Sequence, residues 1–230
     1  MLLLTGTGIV AAVPATTPPV GAARLEKYDD YFRKYTKRFF GIGFDWRFFK
    51  AQAIVESNLR PEIVSAAGAR GMMQLLPSTY ADIRRRHADF GDINAPEWNI
   101  AAGIAYSREQ WDYWVKEADQ AFQKHFTLGS YNAGRATMMR AQKVAQAQKL
   151  NYRVWTSIEA VAPMVPNWRH SETLSYVTAV FTNLEAMDRQ GRTEGPTVSR
   201  QDSGGKSLAD QLKKLKSLKS VFNRLRSSFN

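Results

Sequence analysis

Apolar side chains recur at intervals of three and four residues along most of the chain. The first such run includes Leu25, Tyr28 and Phe32 and ends before a Gly-Ile-Gly break at residues 41–43. This spacing places apolar residues on one face of an α-helix. Because residues 24–188 contain no clear strand-length alternation of apolar and polar positions, we predict a mainly α-helical domain.

The same spacing predicts several further helices. We expect the second helix to begin at Asp45, a favourable N-cap residue, and to end near Asn58, because Pro61 pushes Arg60 out of the helical conformation. A new helix is expected to begin near Leu76 or Ser78. Later helices are predicted at Asn99–Ala118, Ala121–Tyr131, Arg135–Lys149 and Ser171–Met187.

Glu56 falls in the last turn of the second helix, beside Ile54 and Val55. The negative end of the helix dipole and the apolar neighbours both disfavour an ionised carboxylate, so we predict a raised pKa for Glu56. A glutamate that keeps its proton near neutral pH can act as a general acid. Position alone does not distinguish such a residue from a glutamate that is merely solvated.

The segment after Pro61 is rich in small residues, with glycines at Gly68 and Gly71. Glycines there allow the backbone to turn tightly and to approach a ligand closely. Met72 and Met73 follow directly, and we expect one of the two to pack in the core.

Three motifs in this region and beyond it resemble those of the soluble-lytic-transglycosylase (SLT) domain, which is similar in fold to goose-type lysozyme. They are Glu56-Ser57, Gly71-Met72-Met73-Gln74 and Ser130-Tyr131-Asn132. The family has leucine at the position of Met72 and alanine at the position of Ser130. A later pair, Glu172-Thr173 with Tyr176-Val177, is similar to the tyrosine motif of the same family.

The resemblance implies a mainly α, lysozyme-like domain with a small loop or flap region, which cleaves the glycan strands of bacterial peptidoglycan. In the family, one glutamate protonates the glycosidic oxygen between N-acetylmuramic acid (MurNAc) and N-acetylglucosamine (GlcNAc). It then accepts the proton of the muramoyl 6-hydroxyl, which closes onto C1 and gives a 1,6-anhydro product. Both roles fall to Glu56 here, with no cofactor and no metal expected.

The resemblance also implies a set of substrate-binding residues. We expect Gln74 to hydrogen-bond a sugar, and Tyr131 and Asn132 to hold its N-acetyl group. Tyr176 is expected to hydrogen-bond near Glu56 or near the N-acetyl carbonyl. Purely structural roles are the alternative for the two tyrosines and for Asn132. The full set is Ser57, Met72, Met73, Gln74, Tyr131, Asn132 and Tyr176.

Two other activities stay open at this point. A lysozyme-like hydrolase would use water in place of the 6-hydroxyl, and ordinary glycosidases use a second carboxyl near the first. The next acids after Glu56 are Glu62 and Asp82, and neither lies in a motif. The other alternative is a catalytically idle module that only binds glycan, but the intact Glu56-Ser57 pair argues against it.

The net charge of the 230-residue chain is +11, which favours an anionic partner. The absence of cysteine excludes disulfides, thiolate metal sites and a thioether lipid anchor. The three histidines, at positions 87, 125 and 170, lack the spacing of a metal site. No nucleic-acid-binding motif is present, and the basic residues concentrate at the C-terminus, so we do not expect a nucleic-acid partner.

The two ends of the chain differ from its middle. Residues 1–23 are an apolar run followed by prolines and small residues, which resembles a secretory signal that lacks a basic start. The alternative is a loosely anchored N-terminus. We predict the SLT-like domain at residues 24–190, a flexible linker at 191–205 and a basic amphipathic helix at 206–230.

The predicted helix at residues 206–230 has one apolar stripe and seven basic residues, with Asp210 as its single acid. A helix of this composition can lie on an anionic bilayer surface. Alternatively, the stripe packs on the domain or on a partner helix. The expected location of the protein is the periplasm or cell envelope, and this segment is a candidate for membrane association. A setting in a secretion system or in a phage particle stays open.

Overall fold

The computed structural model describes residues 26–193. The predicted leader at residues 1–23, the basic helix at 206–230 and the linker after residue 193 lie outside the described residues. Within residues 26–193 the backbone forms helices and no β-strand, which confirms the mainly α prediction. The helices are α1 (Asp29–Phe40), α2 (Arg47–Ser57), α3 (Pro77–Arg86), α4 (Pro96–Glu117), α5 (Gln123–Ala133), α6 (Arg135–Ala147), α7 (Trp155–Val161) and α8 (His170–Thr193), with short 3₁₀ turns at Gln120–Phe122 and Ala162–Met164.

The ends of α1 and α2 follow local sequence signals. Gly41 ends α1 with a positive φ of 84°, a conformation that glycine adopts without strain. The N-cap of α2 is Trp46 rather than the predicted Asp45, although the Asp45 carboxylate accepts the backbone N–H of Arg47 at 3.0 Å. Asn58 takes the left-handed conformation that terminates α2 after Ser57.

Several helices differ from the prediction, and α5 (Gln123–Ala133) and α6 (Arg135–Ala147) do so by two residues at one or both ends. α4 begins at Pro96 rather than near Asn99, because proline suits the first position of a helix. The seven-residue α7 was not predicted, since so short a segment shows no clear periodicity. α8 continues to Thr193 and so includes the first residues of the predicted linker.

The packing of three helices brings the predicted site together. α8 lies against both α2 and α5, and α5 also packs on α4. The core between these helices is rich in aromatic side chains, including Phe48, Trp114 and Phe126. Glu56 on α2, Tyr131 on α5 and Tyr176 on α8 therefore face a common region. Among the described helices, none has both the length and the apolar character needed to cross a bilayer.

The loop between α2 and α3, residues 58–76, forms the small loop region. It has no regular strand, but Arg70 forms isolated antiparallel β-bridges with Val64 and with Leu75. Buried side chains of Leu59, Met72 and Leu75 fix the loop to the helical core. The loop is therefore a packed part of the domain.

Candidate active site

Glu56 lies in the last turn of α2 with 8% of its surface exposed. Burial raises the pKa of its carboxyl from 4.5 to about 8, and a hydrogen bond from Tyr176 lowers the pKa by a smaller amount. Most Glu56 side chains therefore carry a proton at pH 7. This is the raised pKa that the sequence predicts, with burial as the main cause.

Tyr176 reaches Glu56 from α8. Its hydroxyl donates a hydrogen bond of 2.6 Å to Oε1 of Glu56, across 120 residues of sequence. Burial raises the pKa of Tyr176 well above 10, and the nearby Glu56 adds to the shift. Tyr176 thus stays protonated near neutral pH and remains a hydrogen-bond donor to the carboxyl.

Gln52 is the third member of this group, and it lies outside the sequence motifs. Its side-chain Nε2 donates to the Tyr176 hydroxyl oxygen at 3.1 Å. Gln52 precedes Glu56 by four residues on α2, so the two lie on one face of the helix. The sequence signal for Gln52 is a polar residue between apolar neighbours, four residues before Glu56.

The Tyr176 hydrogen bond goes to Oε1 of Glu56, and 8% of the residue stays exposed to solvent. Both acids that follow Glu56 in sequence, Glu62 and Asp82, are exposed, and Asp82 pairs with Arg85. Neither contributes to the pKa shift of Glu56. In the described part of the chain, no charged side chain contributes to the pKa shift of Glu56.

Two other motif residues bind consecutive carbonyls of the loop. The Ser57 hydroxyl donates to the backbone oxygen of Met72 at 3.0 Å. The Tyr131 hydroxyl donates to the backbone oxygen of Met73 at 2.7 Å. Through these bonds the loop is held by the end of α2 and by the end of α5.

The side chains of Met72 and Met73 are wholly buried, where the sequence predicts core packing for one of them. Gln74 is also buried, and its Nε2 donates to the backbone oxygens of Gly71 at 2.9 Å and Ile63 at 3.2 Å. In this conformation none of these three side chains offers a surface to a sugar. Their expected sugar contacts stay predictions that require the loop to move.

Asn99, on α4, organises the same loop and was missed by the sequence analysis. Its Oδ1 accepts the backbone N–H of Met73 at 2.8 Å, and its Nδ2 donates to the carbonyls of Arg70 and Ile93, each at 3.0 Å. A Cβ added to Gly71 would lie 2.4 Å from Nδ2 of Asn99, so glycine is required there. The available signal was a polar residue directly before the apolar run at Ile100.

Asn132, at the end of α5, is mostly buried, but its amide has no hydrogen-bond partner among the described residues and keeps contact with solvent. The neighbouring Tyr131 has a pKa raised well above 10, by burial and by the proximity of Glu56. A ligand contact of the Asn132 amide stays a prediction. Within residues 26–193, no group of His, Asp and Glu side chains is arranged to hold a metal ion.

Residues 30–154 match the family model of the transglycosylase SLT domain, which is more than half of the chain. The chain belongs to the transglycosylase SLT family. The match includes Glu56, the loop and the Tyr131-Asn132 pair. It ends before Tyr176, so the assignment of Tyr176 to the site rests on its bond to Glu56.

Relatives in the SLT family are longer than this chain. Membrane-bound lytic murein transglycosylase F of Photobacterium profundum is 28% identical over 159 residues, which cover 67% of this chain and 28% of that protein. The protein of the same name from Pseudomonas putida is 32% identical over 145 residues, or 61% and 27% of the two chains. The chain therefore spans about three tenths of the length of these relatives.

The fold is similar to that of the 70 kDa soluble lytic transglycosylase SLT70 from Escherichia coli. The TM-score is 0.55 at 24% identity, over 75% of this chain and 26% of SLT70. A complex of a 70 kDa soluble lytic transglycosylase with bulgecin A gives 0.56 at 23% identity, over 76% and 26%. These similarities confirm the lysozyme-like SLT fold for the described residues.

One departure from the SLT pattern has a structural explanation. Ser130 stands where the family has alanine, and its hydroxyl oxygen accepts the indole N–H of Trp114 at 2.8 Å. Both residues are fully buried, so the indole donor would otherwise be unpaired in the core. Ser130 therefore supplies the hydrogen-bond acceptor that the buried Trp114 indole requires.

Proposed function

We propose that this protein is a peptidoglycan lytic transglycosylase that cleaves the β-1,4 bond between MurNAc and GlcNAc and leaves 1,6-anhydroMurNAc ends. The observation that carries the proposal is the buried Glu56, with a pKa of about 8 and a 2.6 Å hydrogen bond from Tyr176. Membership of the SLT family and the names of its relatives support it. The substrate is the glycan strand, and Glu56 is the single acid and base.

In the first half of the reaction, Glu56 is the general acid. It is protonated near neutral pH, and its Oε1 accepts the hydrogen bond from Tyr176, which leaves Oε2 to carry the proton. Oε2 gives its proton to the glycosidic oxygen, and the C1–O bond breaks with its electron pair left on the departing GlcNAc oxygen. Asn132 holds the N-acetyl group, whose carbonyl oxygen stabilises the positive charge that develops at C1. The buried Tyr131 hydroxyl donates to Met73, so its expected contact with the N-acetyl group follows only if the loop moves.

In the second half, the carboxylate of Glu56 is the general base. A carboxylate whose conjugate acid has a pKa of about 8 is a stronger base than an exposed glutamate. It takes the proton of the muramoyl 6-hydroxyl while O6 bonds to C1, so the ring closes without water and Glu56 recovers its proton. The Tyr176 hydroxyl stabilises the transient charge by its bond to Oε1.

The remaining predicted contacts belong to the loop wall of the cleft. Ser57 holds the loop through Met72, and Gln74 holds its turn through Gly71. We assign Ser57 and Gln74 the task of fixing the loop beside Glu56. Direct sugar contact by Gln74, Met72 or Met73 follows only if the loop moves when the strand binds, because all three side chains are buried.

The decisive experiment is digestion of purified peptidoglycan with the wild type and with Glu56→Gln, followed by mass spectrometry of the muropeptides. We expect the wild type to release products lighter by one water than the hydrolysed sugars, and Glu56→Gln to release almost none. Glu62→Gln, at an exposed acid outside the motifs, is the matched control and should remain active. Reducing ends in the wild-type digest would instead identify a lysozyme-like hydrolase.

We also place the enzyme in the cell envelope, where its proposed substrate lies. The relatives from Photobacterium profundum and Pseudomonas putida are named as membrane-bound, which supports this location. A periplasmic position, with residues 206–230 on an anionic membrane surface or against a partner helix, is the finer form of the proposal. Those residues lie outside the described part of the chain.

A further inference from the structure

Gln52 is a fully buried amide in an otherwise apolar stretch of α2. Burial of an amide costs free energy unless its groups are hydrogen-bonded, and an apolar side chain would fill the same space without that cost. Within the described residues, Nε2 bonds only to the Tyr176 hydroxyl, and Oε1 is buried without a partner. The family function proposed above assigns Gln52 no role.

The three side chains form a short directed series of hydrogen bonds. Gln52 Nε2 can only donate, so at 3.1 Å it occupies the Tyr176 oxygen as an acceptor. The hydroxyl has a single proton, which it then donates to Glu56 Oε1 at 2.6 Å. The direction of the second bond thus depends on the first.

We propose that Gln52 is a positioning residue that fixes the direction of the Tyr176–Glu56 hydrogen bond and so keeps the transferable proton of Glu56 on Oε2. The inference rests on the transglycosylase function proposed above and deepens it. Gln52 touches neither the sugar nor the reacting atoms, and it acts through Tyr176.

The role of Gln52 follows from what the same side chains could do without it. If the Tyr176 oxygen were free, it could accept a proton from Glu56 Oε1, and the acid proton would then point into the protein rather than toward the cleft. Donation from Gln52 also polarises the Tyr176 hydroxyl, which strengthens its bond to the carboxylate formed after proton transfer. Gln52 therefore favours the productive state in both halves of the reaction.

The pH dependence of activity reports directly on this series. The titratable groups that face Glu56 are Tyr176 from α8 and Tyr131 from α5. Among residues 26–193, no basic or acidic side chain contributes to the pKa of Glu56. A change in the Tyr176 hydrogen bond should therefore shift the alkaline limb of the kcat profile without interference from a charged neighbour.

The test variant is Gln52→Met in the full chain, which keeps the length of the side chain but removes both amide groups. We expect kcat to fall about two- to tenfold with little change in KM, as for loss of one net hydrogen bond. The alkaline limb should move to higher pH, because a weaker bond from Tyr176 favours protonated Glu56. In the Tyr176→Phe background, Gln52→Met should have no further effect on the limb, since Gln52 acts only through that hydroxyl.

The matched control is Gln110→Met on α4. Gln110 is also buried, with an unpartnered Oε1, but it lies outside the candidate site. It should retain the wild-type pH profile, whatever its effect on stability. If Gln52→Met does not fold, Gln52→Leu, which also removes the amide, takes its place.

A measurement independent of activity completes the test. The carboxyl of Glu56 is titrated by ¹³C NMR, with its resonance assigned from its absence in Glu56→Gln. We expect a higher pKa in Gln52→Met than in the wild type. Equal pKa values with equal pH profiles would overturn the inference, as would an undiminished Gln52→Met effect in Tyr176→Phe. Failure of the wild type to release 1,6-anhydro ends would instead reject the proposed function, while the titration would still decide the role of Gln52.

Discussion

The side chain of Asn99 accepts the backbone N–H of Met73 at 2.8 Å and so joins the first turn of α4 to the loop beside Glu56. The same amide donates to the carbonyls of Arg70 and Ile93. One Asn99 side chain thus hydrogen-bonds three backbone groups, which in a β-sheet would pair with a neighbouring strand. Its hydrogen bonds fix the same loop backbone to which Ser57 and Tyr131 donate.

Replacement of Asn99 by alanine should destabilise the protein and impair activity together. It leaves the buried N–H of Met73 without its acceptor and removes one donor from the part-buried carbonyls of Arg70 and Ile93. The Arg70 carbonyl keeps its bond from the N–H of Leu75, so we expect the free energy of unfolding to fall by about 1–3 kcal/mol. Urea denaturation and peptidoglycan digestion measure the two effects. The control is Asn94→Ala, an exposed residue of the neighbouring turn, which should change stability by less than about 1 kcal/mol. Equal effects of the two substitutions would contradict this role for Asn99.

The raised pKa of Glu56 predicts a specific dependence of stability on pH. The folded state binds the Glu56 proton up to about pH 8, whereas the unfolded chain releases it near 4.5. Its contribution is therefore fully present below pH 4.5 and is lost as the pH rises toward 8. Glu56→Gln does not ionise, so its stability relative to the wild type should increase over that interval, by on the order of 4 kcal/mol.

Urea denaturation of the wild type and Glu56→Gln at pH 4.5, 6 and 8 measures this difference. Glu62→Gln, at an exposed site, should show no comparable trend with pH. A constant difference between the wild type and Glu56→Gln across the series would mean that the Glu56 carboxyl is not shifted in the folded protein.

Ser130→Ala, which restores the residue typical of the family, should destabilise this particular chain. It would leave the buried indole N–H of Trp114 without an acceptor, at a cost of about 1–3 kcal/mol. Ser107→Ala is the matched control. The buried Ser107 hydroxyl donates to a carbonyl of its own helix, so its removal leaves no buried donor without an acceptor. Thermal unfolding should show the larger decrease for Ser130→Ala. A larger decrease for Ser107→Ala would refute the explanation.

Deletion of residues 206–230 should reduce binding to anionic vesicles. Seven basic residues in this segment can each add about 1 kcal/mol near anionic headgroups. Co-sedimentation of the full chain and the shortened chain with phosphatidylglycerol vesicles measures the difference, with phosphatidylcholine vesicles as the control. Equal pelleting of the two chains would exclude a membrane role for the segment.

Local rules predict those parts of the fold that depend on a few neighbouring residues. The break at Gly41, the end of α2 before Pro61 and the place of Glu56 in the last turn all follow from such rules. The raised pKa of Glu56 also follows in direction, because its apolar neighbours on α2 are visible in the sequence. Its size depends on burial by other helices, which no local pattern reports.

Contacts over long distances in sequence explain what was missed. Gln52 meets Tyr176 across 124 residues, and Asn99 meets Met73 across 26. Neither partner is suggested by periodicity, because periodicity identifies a buried face but not what lies opposite it. Core packing was predicted for one of Met72 and Met73, and the burial of both could not be predicted, because an irregular loop has no periodicity that would show which side chains face the core.

Ser57 and Tyr131 hydrogen-bond the backbone carbonyls of Met72 and Met73, and this affects how the site could be transplanted into another helical scaffold. Two adjacent peptide groups serve as a shared anchor for segments that lie far apart in the chain. A graft that carried only the turn with Glu56 would lack the loop that packs beside the carboxyl. The smallest transferable unit is therefore three segments and the two carbonyls at which they meet, and their relative placement must be copied along with their residues.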